Sequence, residues 1–341
     1  MSLDCPVHAV MNAVKGLLYH EVKVLMLPSR RPVPCREDGD ILGHGADRAG
    51  AAHSIRRSMR RHAIRAIAVA SGMVALLSGC GQIQVTAVSG APEGPTIAIG
   101  VAADEPGVSV WHDGTYEGFD VTVAKYVASR LGYANKQIVF KQVRPENRQS
   151  MLDSGQVDLV VASWAITDES RAAVDFAGPY LTTGVGLLVR ADDRTTLSAD
   201  GDSVGELGRR NICVVKGDET ASMLLENHSD AVAQERDSYA QCVTALEAGS
   251  ADAIASDQVV LAGLRQANGP QYSALLTDAG TVSYGIAVGK GNARLAGTIA
   301  QSLKDMVADG SWDDARSTLE NQTMLAISRD GTPGAIVSDD E

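Results

Sequence analysis

Histidine is nearly missing from the body of this sequence. Of seven histidines, five precede Cys80, and only His112 and His228 follow it. Neither has a second ligand at metal-binding spacing, and Cys213 and Cys242 lie too far apart for a zinc pair. No metal or cofactor is expected, and a histidine-dependent catalytic triad is excluded. Aromatic residues make up 4% against 45% for all hydrophobics, so the core must be built from Ala, Val and Leu. That is ordinary for an α/β protein. A basic cluster is also missing from the body. Eleven Lys/Arg and six Asp/Glu precede Cys80, a net of +5, while the remaining 19 and 36 give the rest −17. An acidic body of this kind does not bind nucleic acid. The chain also lacks a long apolar run, because Ala66 to Leu77 falls short of the about twenty residues that span a bilayer.

What is there begins with that short run. Arg60, Arg61 and Arg65 precede it, and Leu77-Ser78-Gly79-Cys80 closes it. This is the order of a secretory signal, and the closing four residues resemble the lipobox of bacterial lipoproteins. Residues 59–79 are read as the signal peptide and Cys80 as the acylated first residue, anchored on the outer face of the cytoplasmic membrane. Residues 1–58, rich in Pro, Arg and Gly, are read as a spurious or disordered extension, with translation starting at Met59. In an exported chain, Cys213 and Cys242 form an even pair, and an oxidising compartment favours a disulfide between them.

Residues 80–95 carry Gly and Pro and read as a tether. A buried-type strand follows at Thr96–Val101, then a helix at 121–131 with Asp120 placed as its N-cap. Strands at 138–141 and 157–162 flank a helix at 146–154. A second α/β set runs from the strand at 211–215 to the helix at 259–267. Extended runs at 181–189 and 282–288 separate the sets. Alternating strands and helices imply a parallel sheet in each set, and two sets joined by two runs imply two lobes facing a shared cleft.

Several spaced motifs then point in one direction. Gly118-Phe119-Asp120-Val121, Gly155-x-x-Asp158, Ile166-Thr167-Asp168 and Phe176-x-x-Pro179-Tyr180 occur in order. From about Thr96 to Leu319 the chain resembles the family 3 extracellular solute-binding proteins of polar amino-acid ABC importers. The glutamate-binding lipoproteins of Gram-positive bacteria look most similar. The resemblance implies the type 2 periplasmic-binding-protein fold, two lobes joined by two hinge strands. Lobe 1 would comprise 96–182 plus 285–321, lobe 2 would comprise 187–280, and 322–341 would be a disordered tail.

It also implies a site. Asp257, closing a second-lobe strand, would hold the ligand ammonium, and Thr220 at a helix start would meet its carboxylate. Asp104, Trp111, Ser163, Trp164 and Thr167 would border the cleft. The family's carboxylate-binding arginine position holds Ser170 here, and Ala165 stands where the family has Ser or Thr. Arg171, one residue later, is the candidate replacement, since a guanidinium fork matches a carboxylate. One residue is about 100° on a helix, so that replacement requires a loosely wound segment.

The expected function is therefore a monomeric, lipid-anchored receptor rather than an enzyme. It would capture an acidic or amide amino acid such as glutamate and deliver it to an importer permease. A ligand-sensing lipoprotein of a signalling system and a periplasmic dehydratase-like enzyme are the alternatives.

Overall fold

The computed structural model describes residues 91–197, 207–227, 230–329 and 333. Cys80, the signal segment, residues 1–58, His228 and the last residues of the tail lie outside them. Strand β1 (Ile97–Val101) leads into a small meander of β2 (Asp104–Glu105), β3 (Ser109–His112) and β4 (Thr115–Glu117), which alternation alone did not suggest. Helix α1 (Phe119–Arg130) follows, then β5 (Ile138–Gln142), α2 (Arg148–Asp153), β6 (Leu159–Val160) and α3 (Asp168–Ala173). The first hinge strand, β7 (Val174–Arg190), carries the chain into the second lobe. There the order is α4 (Arg194–Leu197), β8 (Asn211–Val215), α5 (Glu219–Asn227), β9 (Val232–Arg236), α6 (Tyr239–Glu247), β10 (Ala253–Asp257) and α7 (Gln258–Asn268). The chain returns along β11 (Tyr272–Gly289) and ends in α8 (Ala293–Ala308) and α9 (Ser311–Thr323).

The large sheet has the order β5-β1-β6-β11-β7-β10-β8-β9. β1 pairs in parallel with β5 and β6, and β8 with β9 and β10. The two halves meet at β7 and β11, which pair antiparallel over nearly their whole length, from Val174↔Gly289 to Arg190↔Tyr272. Both strands are longer than the apolar runs at 181–189 and 282–288 suggested, because their outer ends each join a lobe. Register shifts at Leu276/Thr281 and Tyr284/Ile286 interrupt the ladder between the lobes, where bulges let paired strands bend. The core on either side is aliphatic, with Ile97, Ile99, Val127 and Leu131 in one lobe and Ile212, Leu224, Ile254 and Leu261 in the other. Cys213 on β8 and Cys242 on α6 are joined as a disulfide, Cα–Cα 5.6 Å, tying a helix to its strand.

Two elements differ from the sequence reading. Asp120 is not the N-cap of α1; Gly118 holds that position and Asp120 lies in the first turn, fully buried. Gly118 has φ 125°, and a Cβ there would stand 2.4 Å from the Val108 carbonyl oxygen, so the turn requires glycine. The tail is also ordered further than its thin apolar content suggested. Helix α9 runs to Thr323, Trp312 donates its indole N–H to the Tyr180 carbonyl at 2.8 Å, and Ile327 is buried. Leu325 to Ser328 cover a pocket of about 380 Å³ beside the hinge residues Thr182 to Gly184.

The lobes are drawn together at several points. Helix α7 packs so closely on the β2–β3 turn that a Cβ at Gly263 would lie 1.8 Å from the Pro106 carbonyl oxygen. On another flank Gly217 abuts the backbone of Glu146, and Lys216 pairs with the Glu146 carboxylate at 3.0 Å. In a helix interior Gly→Ala gains roughly 1 kcal/mol of propensity, so Gly263→Ala should leave both lobes folded while holding them apart. Its X-ray scattering should give a larger radius of gyration than the parent, with unchanged far-UV circular dichroism. An unchanged radius would show that the contact does not limit closure.

Candidate functional site

The strands of each lobe deliver polar side chains to the face where the lobes meet. β1 ends at Val101, and the chain turns through Asp104 and Glu105. The Asp104 carboxylate crosses the junction and accepts from the Tyr239 amide of α6 at 2.7 Å. Burial pushes its carboxyl up, opposed by that amide and the Ala240 amide and by Arg144. Glu105 is buried at 3% exposure, with Oε1 accepting from the Ser163 hydroxyl at 3.0 Å and Oε2 meeting no donor. Desolvation first, then the charges of Asp120 and Asp104, hold it well above the carboxylate range.

Ser163 follows β6 with φ 44°, a left-handed conformation that costs an L-residue roughly 1–2 kcal/mol. Asp120 holds it there, accepting from the Ser163 amide at 2.8 Å and from the Tyr180 hydroxyl at 2.9 Å. Burial raises the Asp120 carboxyl to about 7. Trp164 then turns inward, its ring at 87° to Phe176 and 5.5 Å from it.

Lobe 2 presents Asp218, Glu219, Tyr239, Ser256 and Asp257, at the ends of β8 and β10 and the starts of α5, α6 and α7. Asp218 accepts from the Thr220 amide at 2.9 Å and the Tyr239 hydroxyl at 2.8 Å. Asp257 closes β10 and caps α7, its Oδ1 accepting from the Val259 and Val260 amides at 3.0 and 3.1 Å. The Tyr284 hydroxyl reaches toward Asp257 without an ordinary-length hydrogen bond. Burial moves the Asp257 carboxyl up to about 6 despite these donors. Its charge is felt at Glu105 and Asp120 across the junction, so Asp257 lies at the interlobe face.

One ion pair crosses this face. Arg148, at the start of α2 and 3% exposed, pairs through Nη2 with Glu219 Oε2. The guanidinium carbon also lies 4.2 Å over the Trp164 ring. Glu219 Oε1 accepts the Trp164 indole N–H at 3.1 Å. Glu219 therefore meets both lobe-1 groups at once, through one guanidinium nitrogen and the indole. Arg148 Nε has no partner.

Four sequence candidates fall elsewhere. Thr167 and Ser170 form a capping box at the start of α3, the threonine hydroxyl accepting from the Ser170 amide at 3.1 Å. The box turns Ser170 inward, where its hydroxyl donates to the Ala165 carbonyl at 2.9 Å, and rotates Arg171 out to solvent. Arg171 lines a lobe-1 groove with Lys290, Asp175 and Ala296, away from the acids of the junction. Trp111 is 51% exposed on the β3–β4 hairpin, stacked edge-on against Tyr116. Thr220 is buried at the start of α5, with its amide given to Asp218. Arg148, Glu105 and Glu219 were missed as binding residues, although all three lie within the span of the resemblance. Nothing periodic marks any of the three. Among the described residues no group of three or more His, Cys, Asp or Glu could hold a metal ion.

The arrangement is suited to binding. Three acids, Glu105, Asp120 and Asp257, are buried, against one buried base among the described residues, Arg148, which is already paired. The family model for bacterial extracellular solute-binding proteins, family 3, matches residues 97–318. The glutamine-binding protein GlnH of an ABC transporter in Bacillus subtilis is 35% identical over 202 residues, 59% of this chain and 71% of that one. The glutamate-binding protein GluB of Corynebacterium efficiens is 28% identical over 294 residues, 83% and 97% of the two chains. Among solved structures, an ancestral arginine-binding protein bound to glutamine matches with TM-score 0.58 and 26% identity, over 66% of this chain and 97% of that one. A solute receptor for L-cysteine of Neisseria gonorrhoeae matches with TM-score 0.62 and 25% identity, over 70% and 95%.

The Asp120 geometry has a measurable consequence. Asp120→Ala removes the acceptor of two buried donors, at a cost of about 2–4 kcal/mol. An aspartate in the unfolded chain titrates near 3.9, whereas this one titrates at about 7. The folded protein therefore holds the extra proton between those values, and its stability falls as pH rises through them. Urea denaturation should find the variant less stable at pH 5, with the gap narrowing by pH 8. A gap that widens with pH would contradict the assignment.

Proposed function

Because the chain belongs to family 3 of the bacterial extracellular solute-binding proteins, we propose that it captures an amino acid outside the cell and delivers it to an ABC importer. The observation that carries this is the placement of Asp257. It is a buried carboxylate at the end of β10 and the start of α7, the helix that abuts the β2–β3 turn of the other lobe, where a ligand ammonium would bridge the halves. Tyrosine hydroxyls and the Ser163 and Ser256 side chains supply the uncharged lining. Relatives named for glutamine and glutamate support an amino acid as ligand. Within that class an acidic side chain fits least well. The acids would repel it, and both Arg148 and the Trp164 indole are engaged by Glu219. An uncharged or cationic amino acid is the better fit, which revises the expectation of glutamate.

The mechanism is closure without covalent chemistry, in a binding protein rather than an enzyme. A ligand touching both lobes favours the closed arrangement in proportion to its differential affinity for it. The bulged segments of β7 and β11 absorb the bend. Thermal denaturation against the twenty amino acids, paired with calorimetry on any that stabilise, tests this directly. At least one should raise the melting temperature, with a saturable heat of binding. A panel without response removes the amino-acid assignment.

Membrane attachment is proposed through Cys80, on the signal-like order of residues 60–80. Cys80→Ser should move the protein from the membrane fraction to the medium or the soluble envelope fraction. Retention in the membrane by the variant would reject the lipid anchor.

A further inference from the structure

Glu105, at the junction, accepts from no backbone amide. Asp104, Asp218 and Asp257 each accept backbone amides at a helix start, and Asp120 accepts an amide and a phenol. Glu105 has a single serine hydroxyl, and its Oε2 is enclosed with no donor. A buried oxygen of this kind costs free energy unless a donor arrives. The charges around it are Asp104 and Asp120 from its own lobe and Asp257 from the other, with Tyr180, Tyr239 and Tyr284 facing the same acids. Arg148 cannot serve as its counter-charge, being engaged by Glu219, and Arg144 acts on Asp104.

The two glutamates thus have opposite tasks. Glu219 is a carboxylate the protein supplies to one guanidinium nitrogen and to the indole, so an anionic ligand group approaching Arg148 meets a negative charge already beside it, although Arg148 Nε has no partner. Glu105 is a carboxylate with no cation supplied. We propose that Glu105 and Glu219 together make this cleft selective for a ligand with a cationic group on an aliphatic chain, Glu105 binding the cation and Glu219 excluding an anion. The shared chemistry is a protonated amine or guanidinium, found on basic amino acids and on diamines. The selectivity rests on the receptor reading and deepens it. Burial holds Glu105 above the usual carboxylate range, as it does Asp104, Asp120 and Asp257, so a cation that ionises Glu105 should expel its proton.

The test is calorimetry of the purified protein at pH 7.5 with lysine, arginine, cadaverine, glutamine and glutamate, in two buffers of different ionisation heat. Lysine or arginine should bind at least about tenfold more tightly than glutamine, glutamate should give no heat, and binding should release protons. If cadaverine matches lysine, the ligand is recognised as an amine; if it fails, as a basic amino acid; either supports the cation site. Glu105→Gln should lower affinity for the cations about thirtyfold or more and abolish the proton release, while its melting temperature stays level or rises. A merely structural Glu105 would lower the melting temperature and leave the affinity of the folded fraction unchanged. Glu219→Gln should release Arg148 and raise glutamate affinity about tenfold or more. Tighter binding of glutamine or glutamate by the parent overturns the selectivity and leaves the receptor standing. No binding by any ligand, here or across the amino-acid panel, overturns both.

Discussion

Bringing two lobes together over a face lined with carboxylates costs desolvation and repulsion, and the rest of the junction is organised around that cost. Most of the offset comes from backbone. β8 and β10 run in parallel, so the helices after them begin at the same edge, and α6 begins there too. Each of the three helix starts meets a carboxylate: Asp218 accepts from the Thr220 amide at α5, Asp104 from Tyr239 at α6, and Asp257 from Val259 and Val260 at α7. Free amides and the positive end of the helix dipole stabilise a carboxylate at such a position by about 0.3–2 kcal/mol. Asp104 reaches its helix only when the lobes meet, so that acid turns a local repulsion into an interlobe contact.

The clasp among Arg148, Glu219 and Trp164 has a different character. Two charges taken out of water lose solvation that a single ion pair recovers only in part. Opening the lobes would rehydrate both, so the pair contributes little net free energy to closure. Its geometric contribution is larger. Glu219 touches the guanidinium and the indole with separate oxygens, while the guanidinium lies over the same indole. Few other placements of α5 against α2 would satisfy all three groups, so the clasp fixes where the lobes meet rather than how strongly they hold. The backbone approach of Gly263 to Pro106 acts likewise on the other flank, through shape alone.

The elements that follow from local pattern were legible in the sequence. β8 at Asn211–Val215 and α7 at Gln258–Asn268 match the strand at 211–215 and the helix at 259–267 to within one residue. Legibility fails where a tertiary partner decides. Asp120 stands in a sequence position suited to capping, but Ser163 and Tyr180, distant in the chain, claim both its oxygens. The hinge strands extend beyond their apolar runs, back to Val174 and Tyr272, because their backbones pair with each other through residues that the apolar pattern does not mark. Arg171 and Ser170 were the pair in question at the site, and the Thr167 capping box decided between them by turning the serine inward. Arg148 carries no local mark of its role, since only the fold brings Glu219 and Trp164 to it.

An ordinary zwitterion needs a place for its carboxylate, and here Asp218, Asp257 and Glu219 put negative charge beside the helix-start amides and the guanidinium that could provide one. The free energy of closure must then come mainly from the ligand's positive end. Such a cation lets Glu105, Asp120 and Asp257 ionise in the closed form, which burial otherwise disfavours, so its affinity for that form exceeds its affinity for the open one. The difference between those affinities is what drives closure. A ligand of the opposite charge would add to the repulsion and favour the open lobes. The sign of the charge left at the junction therefore sets both which solutes bind and whether binding closes the receptor.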